Sequence, residues 1–154
     1  NFGGINMKIA LACDHGGLNL KAAIKKHLEK LGHEVVDFGT NSSDSVDYPD
    51  YSEKAAKSVA SGETECGILV CGTGIGIGIA ANKVKGIRCA TLGDTFSARM
   101  TKAHNDANMI ALGERVTGIG LGLDIVDAYL NSSFEGGRHQ TRVDKITAIE
   151  NKNL

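Results

Sequence analysis

The sequence predicts an α/β protein built around a parallel sheet of five strands. From Met7 onward, short runs of β-favouring apolar residues alternate with longer segments whose apolar residues recur at helical spacing. This alternation repeats about five times and is typical of βαβ units, in which a helical crossover makes successive strands parallel. The chain has 154 residues, 42% of them hydrophobic. That size suits one domain around one core, and we expect residues 7–150 to form it.

The first two strands and the helices that follow them have recognisable ends. Lys8–Cys13 is an apolar strand, and the segment 16–31 after it carries a single apolar stripe, as an amphipathic helix does. Gly32 then stands in the position of a helix C-cap. The second strand, Glu34–Phe38, leads through a polar loop into another helix, whose first turn accommodates Pro49.

The other three strands continue the same pattern. Gly67–Cys71 runs into the glycine-rich stretch Gly72–Gly78, which opens a short helix. Two further β-favouring runs, Ile87–Leu92 and Asn108–Leu112, are the fourth and fifth strands. The helices that follow these two strands are predicted at 95–102 and 118–130.

The two ends of the chain stand outside this pattern. Residues 1–6 precede a methionine that opens a strand, so we interpret them as a cloning remnant. No predicted strand follows the tail, residues 134–154, but its residues Arg138, Arg142 and Ile146 recur at helical spacing. We therefore expect a C-terminal helical extension that leaves the main body. An extension of this kind favours packing on a second subunit.

Composition restricts the partners and the location of the protein. The 17 basic and 18 acidic side chains nearly cancel, so no net charge attracts nucleic acid or an anionic membrane. No apolar run reaches the ~20 residues of a membrane span. The four cysteines include no Cys-x-x-Cys pair, and reduced thiols are expected. We expect a cytoplasmic protein with a small-molecule ligand and no cofactor.

Residues able to carry chemistry follow the predicted strands. Asp14 and His15 come directly after the first strand, and Cys71 ends the third. Near the fourth and fifth strands the sequence has Asp94, His104, Asn105 and Arg115. Because ligands of parallel sheets bind beyond the carboxyl ends of the strands, we expect these residues to gather at one edge.

The glycine-rich stretch is suited to holding an anion. Residues without a Cβ let backbone N–H groups turn towards a ligand at a helix N-terminus, where they would stabilise a phosphate or an enediolate oxygen. A nicotinamide cofactor is disfavoured, because the one dinucleotide-like register, Gly76, Gly78 and Ala81, follows the third strand instead of the first.

Four side chains are candidates for acid–base work or phosphate binding, and each has a structural alternative. Cys71 precedes a helix N-terminus, which favours a thiolate able to act as a base beside the Thr73 hydroxyl; otherwise it is a buried strand cysteine. His104 could open a sugar ring or cap a helix end. Arg138 and Arg142 share one helix face and either clamp a phosphate or form a solvated basic face. No histidine or carboxylate pair at helical spacing beside a strand end suggests a metal site.

Taken together, the motifs resemble those of ribose-5-phosphate isomerase type B, within the wider family that includes galactose-6-phosphate and allose-6-phosphate isomerases. The resemblance runs from Met7 to about Glu150. The motifs that carry it, in chain order, are Cys13–Gly16, Asp47–Pro49, Cys71–Gly76, Ala80–Lys83, His104–Asp106, Leu112–Arg115 and Glu135–His139.

The resemblance implies a Rossmann-like three-layer sandwich that forms a homodimer, with each active site built from both subunits. Cys71 would move the proton between C1 and C2, assisted by Thr73, and His104 would open the furanose ring. Asp14 and Asn105 would bind sugar hydroxyls. The implied anion hole consists of backbone amides of Gly72, Gly74, Ile75 and Gly76, and the implied phosphate ligands are His15, Arg115, Arg138 and Arg142.

The resemblance also implies the reaction: interconversion of D-ribose 5-phosphate and D-ribulose 5-phosphate through a cis-enediolate, without a metal, in the non-oxidative pentose phosphate pathway. Two alternatives stay open. The same scaffold could act on a six-carbon phosphosugar, namely allose 6-phosphate or galactose 6-phosphate. A non-catalytic phosphate-binding module would need the glycine loop and the arginines but neither Cys71 nor His104.

Overall fold

One sheet of five parallel strands organises the protein, as seen in a computed structural model that describes residues 5–152. The strands are β1 Lys8–Cys13, β2 Glu34–Asp37, β3 Cys66–Cys71, β4 Cys89–Thr91 and β5 Met109–Gly113. Six helices accompany them: α1 Leu18–Lys30, α2 Tyr48–Ala60, α3 Ile75–Ala81, α4 Thr95–Asn105, α5 Ile119–Leu130 and α6 Arg138–Lys152. Of the predicted remnant at residues 1–6, the first four lie outside the described residues.

The strand order β2-β1-β3-β5-β4 explains how the helices divide into layers. Crossovers between parallel strands are right-handed, so connections that run in opposite directions along the sheet lie on opposite faces. Accordingly α1, α4 and α5 pack on one face, against β1, β3 and β5 residues such as Ile9, Ile68 and Ile110. Helices α2 and α3 pack on the other face, against Ala10, Leu69 and other strand residues. The predicted three-layer α/β fold is confirmed.

The carboxyl ends of the three central strands lie side by side. In the parallel register Cys13 pairs with Val70, and Cys71 pairs with Gly113. The chain leaves β1 towards β2 on one side, whereas β3 lies on the other side of β1. A reversal of this kind opens a crevice at the carboxyl edge of the sheet, between β1 and β3.

Two predicted elements differ in extent from the observed ones. The fourth strand is shorter than predicted, because Arg88 donates its backbone N–H to the Asn108 side chain at 2.8 Å instead of joining the ladder. Helix α4 is longer than predicted and ends at Asn105, since Asp106 adopts the left-handed conformation that terminates helices. His104 and Asn105 therefore belong to the last turn of α4.

The tail forms α6, which confirms the predicted C-terminal helical extension. Its buried residues are His139 and Val143, and the helix packs along α4. Near the other end of α6, Glu150 accepts a hydrogen bond from the Gly86 N–H at 3.2 Å. The helix is thus anchored at two points along its length.

Within residues 5–152, no helix combines the length and the apolar character that crossing a bilayer requires.

Candidate active site

The loop after β3 is held in shape by its own side chains. Cys71 is the last residue of β3, and its Sγ accepts a hydrogen bond from the Gly74 N–H at 3.1 Å. The Thr73 Oγ1 accepts one from the Ile75 N–H at 3.2 Å. The Cys71 sulfur therefore faces the backbone amides that lead into α3.

Glycine is required where this loop meets the end of β5. Gly74 has φ +79°, and a Cβ on it would lie 2.8 Å from the Leu112 carbonyl carbon. A Cβ on Gly113 would lie 2.5 Å from the carbonyl carbon of Thr73. Such distances are far inside van der Waals contact, so any larger residue at either position would push the two loops apart.

The contact between the loops brings Arg115 to the glycine-rich stretch. The Arg115 N–H donates to the Gly72 carbonyl at 3.0 Å, and the Glu114 N–H donates to the Cys71 carbonyl at 2.9 Å. A Cβ on Gly72 would lie 3.2 Å from the Arg115 Cδ, so the arginine stem lies directly over this glycine. A cationic side chain thus lies beside the Cys71 loop.

Asp14 approaches the same loop from β1. Its side chain is buried, and its Oδ1 accepts the Gly16 N–H at 2.8 Å. A Cβ on Gly16 would lie 3.2 Å from the Gly72 nitrogen, so the two glycine turns are in contact. The exposed His15 accepts a hydrogen bond from the Val46 N–H at 3.1 Å through its Nδ1.

Tyr48 is a neighbour of this loop to which the sequence analysis gave no role. A Cβ on Gly76 would lie 2.7 Å from the Tyr48 Cζ, so the phenol ring covers the first turn of α3. Tyr48 is the first residue of α2 and is 39% exposed. Its occurrence in the Asp47–Pro49 motif was the one signal that could have indicated a place at the site.

The other three cysteines have thiols that are difficult to ionise. Burial raises the pKa of the Cys13, Cys66 and Cys89 thiols to about 12. They therefore stay protonated at neutral pH. Of the four cysteines, Cys71 alone adjoins the loop that joins β3 to α3.

His104 and Asn105 lie at the opposite edge of the sheet, so the expectation that they join Asp14 and Cys71 at one edge within the chain is wrong. Helix α4 starts after β4 and returns to the beginning of β5, over 11 residues, or about 16 Å. Its end lies beside the residue before β4, because the Arg88 Nε donates to the Asn105 carbonyl at 2.9 Å. The prediction failed because His104 and Asn105 are near strand ends along the chain, whereas α4 carries them back to the opposite edge.

His104 is part of a compact cluster at this amino edge. Its ring stacks on His139 with centroids 4.1 Å apart and planes 8° from parallel. The Glu135 Oε1 lies 3.3 Å from the His139 Nε2 and 3.8 Å from the His104 Nε2. Burial, and next the nearby His104, lower the pKa of His139 below its ordinary value, which favours a neutral ring.

This cluster was not expected from the sequence, in which no metal-ligand pair at helical spacing lies beside a strand end. His104 comes from α4, His139 from α6 and Glu135 from the loop before α6. Glu135 and His139 are four residues apart, a spacing that could have indicated the pair. The third member, His104, joins them through the packing of α6 on α4, which the sequence does not reveal.

Arg138 and Arg142 begin α6 on the same side of the molecule. Both are exposed and lie one turn apart, and both contribute to the low pKa of His139. The structure therefore divides the predicted site residues into two sets. At the carboxyl edge are Asp14, His15, Cys71, Gly72, Thr73, Gly74, Ile75, Gly76 and Arg115. At the amino edge are His104, Asn105, Arg138 and Arg142.

An open groove of about 670 Å³ lies beside β4, and α6 forms one of its walls. Asn105 lines it, as do the apolar side chains Ile146 and Ile149. Among the described residues that line this groove, none comes from the Cys71 loop. The groove and the carboxyl-edge set are therefore separate features.

Known proteins share both the sequence and the fold. A family model described as Ribose/Galactose Isomerase matches residues 9–146. Ribose-5-phosphate isomerase B of Escherichia coli is 52% identical over 145 residues, which cover 94% of this chain and 97% of that protein. The solved structure of Clostridium thermocellum ribose-5-phosphate isomerase B superposes with a TM-score of 0.95 at 57% identity, covering 96% of this chain and 100% of that one.

A third relative was solved with a sugar phosphate. Ribose-5-phosphate isomerase B of Mycoplasma genitalium, with bound ribulose-5-phosphate, has a TM-score of 0.91 at 42% identity and covers 94% of this chain and 96% of that one. The family match spans most of the chain, and these relatives align over nearly their full length. The chain therefore belongs to the ribose/galactose isomerase family.

Proposed function

We propose that this protein interconverts D-ribose 5-phosphate and D-ribulose 5-phosphate, as one step of the non-oxidative pentose phosphate pathway in the cytoplasm. The observation that carries the proposal is the position of Cys71 within the family fold. Its Sγ lies at the carboxyl edge of the sheet, 3.1 Å from a backbone amide of the glycine-rich loop. The relatives named for this reaction support the choice of a pentose phosphate.

In the proposed reaction Cys71 is the base. The thiolate removes the proton from C2 of the open-chain aldose and returns it to C1, while Thr73 passes a proton between the oxygens on C1 and C2. The cis-enediolate that forms between these steps carries negative charge on oxygen. Backbone N–H groups of the loop 72–76 are the donors proposed to stabilise it.

The remaining site residues bind the sugar or open its ring. His104 is proposed to move a proton between the ring oxygen and the anomeric hydroxyl, and Asp14 and Asn105 to bind hydroxyl groups. His15, Arg115, Arg138 and Arg142 supply the phosphate ligands. The proposal includes no metal and no cofactor, and it treats residues 7–150 as the single isomerase domain.

The proposal requires two copies of the chain. Cys71 and His104 belong to opposite edges of one subunit, so a site that uses both needs the amino edge of a partner, as in a symmetric homodimer. Ile75 and Ile79, on one face of α3 next to the Cys71 loop, are 55% and 57% exposed. Apolar side chains in that position are suitable for contact with the partner.

A direct assay tests the reaction. Purified protein treated with a chelator is incubated with ribose 5-phosphate, and in parallel with allose 6-phosphate and galactose 6-phosphate, and ketose formation is measured. Turnover of the pentose supports the proposal. Turnover of a hexose phosphate alone would keep the mechanism and change the substrate. If none of the three reacts while ribose 5-phosphate binds, the phosphate-binding module replaces the isomerase.

Mixing two inactive variants tests the shared site. Cys71→Ala and His104→Asn are co-expressed with different tags, and the mixed dimer is isolated. In a symmetric dimer one of its two sites has both native residues, so a random mixture regains about a quarter of the parent activity and the isolated mixed dimer about half. No recovery, with dimers present by light scattering, would contradict a site built from both subunits.

A further inference from the structure

We propose that His104, Glu135 and His139 form a regulatory binding site for a divalent transition-metal ion, Zn²⁺ in the first instance, and that the bound ion inhibits the isomerase. The inference rests on the proposed function in one respect, namely the use of His104 to open the sugar ring. The binding site itself stands on the geometry of the three side chains.

The ligand atoms are close to the separation that a metal requires. The nitrogen and oxygen ligand atoms of the three residues all lie within 4.8 Å of one another. Tetrahedral zinc with bonds of 2.0–2.1 Å places its ligand atoms about 3.3 Å apart. The Glu135 Oε1 already lies 3.3 Å from the His139 Nε2 and 3.8 Å from the His104 Nε2. The two imidazole rings are stacked face to face, so one ring has to turn out of the stack before both Nε2 lone pairs can point at one ion.

The backbone holds the three residues in position before any ion arrives. The Glu135 N–H donates to the Ala103 carbonyl at 3.0 Å, which fixes the start of the α6 segment beside the last turn of α4. The His139 N–H donates to the Gly136 carbonyl at 3.0 Å. A site with prepositioned ligands binds a metal more tightly than one that must be assembled.

Exposure of Glu135 makes the site accessible, and the surrounding charge makes binding reversible. His139 is buried, whereas the Glu135 side chain is 56% exposed and leaves an entry path. Two imidazoles and one carboxylate are a ligand set that zinc accepts, with a fourth position left to water. The nearby Arg138 and Arg142 oppose a cation, so binding should be reversible.

Inhibition follows from the use of His104. An imidazole nitrogen bound to a metal has no lone pair left to take a proton, so the ring-opening step stops while Cys71 is untouched. Zinc should therefore inhibit turnover of ribose 5-phosphate strongly. It should spare a short aldose phosphate such as erythrose 4-phosphate, which lacks the free hydroxyl needed to close a furanose ring.

The experiment measures metal binding without substrate. Chelator-treated and desalted protein is titrated with ZnCl₂ by calorimetry, and with Co²⁺ by visible absorption. We expect one ion per chain. Because even the loss of an outer-shell contact weakens metal sites by about 10- to 100-fold, Glu135→Gln and His139→Gln should each weaken binding by at least about tenfold.

The matched control is His33→Gln. His33 accepts a hydrogen bond from the Met7 N–H, which glutamine can also accept, and it lies outside the cluster. This variant should bind zinc like the parent. Equal zinc affinity in the parent, Glu135→Gln and His139→Gln would overturn the metal site, provided that thermal unfolding shows the variants to be folded.

The two proposals fail in different ways. Zinc binding that depends on Glu135 and His139, in a protein without isomerase activity, would retain the site and reject the function. An active isomerase with the expected zinc site but equal inhibition towards both sugar phosphates would overturn the role of the metal on His104.

Discussion

The carboxyl and amino edges of the sheet organise their polar groups by different means. At the carboxyl edge, the Cys71 loop is fixed by backbone hydrogen bonds and by glycine contacts closer than any side chain would allow. At the amino edge, His104 projects from the last turn of α4 and Glu135 from the loop before α6, 36% and 56% exposed, and they are held by packing of α6 on α4. The first region owes its shape to contacts within one chain. The second presents its side chains outward, as a surface that serves another subunit would.

This difference suits the different chemical roles proposed for the two regions. A base and an anion hole must be held to within a fraction of an ångström, and the loop after a buried strand provides that rigidity. A ring-opening histidine needs to reach a substrate, and a helix end exposed to solvent allows this. The variants below test the contrast, starting with the largest expected effect.

Replacing the proposed base should remove catalysis and leave the fold intact. Cys71→Ala is expected to lower kcat for ribose 5-phosphate by about a thousandfold, since general-base groups contribute factors of this order. Binding of ribose 5-phosphate, measured by calorimetry, should persist. Cys89→Ala is the matched control, because the Cys89 thiol, with its pKa raised to about 12, has no role in the proposed reaction. Near-parent turnover by Cys71→Ala would reject the base.

A buried ion pair beneath the carboxyl edge should dominate its stability. Lys21 is buried, and its Nζ binds Asp37 at 2.8 Å, the Thr40 carbonyl at 2.6 Å and the Asn41 side chain at 3.0 Å. Lys21→Met leaves the Asp37 carboxylate, only 14% exposed, without its main partner. We expect a loss of about 3 kcal/mol in the free energy of unfolding, measured with urea.

The control for this variant is Lys25→Met. Lys25 reaches the same aspartate at 3.9 Å, but its side chain is 44% exposed. Its removal should change the free energy of unfolding by less than about 0.5 kcal/mol. Equal unfolding midpoints for the two variants would mean that burial of Lys21 adds nothing to the stability of this edge.

The smallest effect is expected at Asp94, which caps the start of α4, the helix that connects the two edges. Its Oδ1 accepts the Ser97 N–H at 2.6 Å, and this hydrogen bond lowers the pKa of the carboxyl. The folded state therefore favours the ionised form. The stabilisation is complete above the ordinary aspartate pKa of about 4 and is lost as the pH falls through the lower, folded value.

Asp94→Ala should thus lower the thermal midpoint slightly at pH 7, and by less at pH 3. Asp94→Asn keeps an oxygen that can accept the hydrogen bond, and its midpoint should lie between those of the parent and the alanine variant. A difference between parent and alanine variant that grows as the solution is acidified would contradict the assigned role.

The sequence predicted best what depends on neighbouring residues. The strand ending at Cys71 and the turn that follows it are local features, written as an apolar run and then glycines, and both are found where they were predicted. The three-layer arrangement could also be predicted, because the alternation of strands and helices constrains the crossover connections.

Features that depend on the direction of a helix or on the packing of distant segments could not be predicted from the local sequence. His104 was assigned to the wrong edge, since its location depends on how far α4 runs before Asp106 ends it. The contact of Glu135 and His139 with His104 requires α6 to lie along α4, and nothing in the local sequence specifies that approach. In the sequence, Lys21 looks like an ordinary charged residue of an amphipathic helix. In the structure, three groups from β2 and the loop after it surround its ammonium.

The strand order also has a consequence for the nascent chain during its synthesis on the ribosome. Strand β5 lies between β3 and β4, yet it is the last of the three to be synthesised. Until residues 109–113 leave the exit tunnel, β3 has an open, apolar edge and β4 has no partner in the sheet. The nascent chain therefore exposes this unpaired β3 edge during the synthesis of about forty residues, a period in which such edges are prone to aggregate.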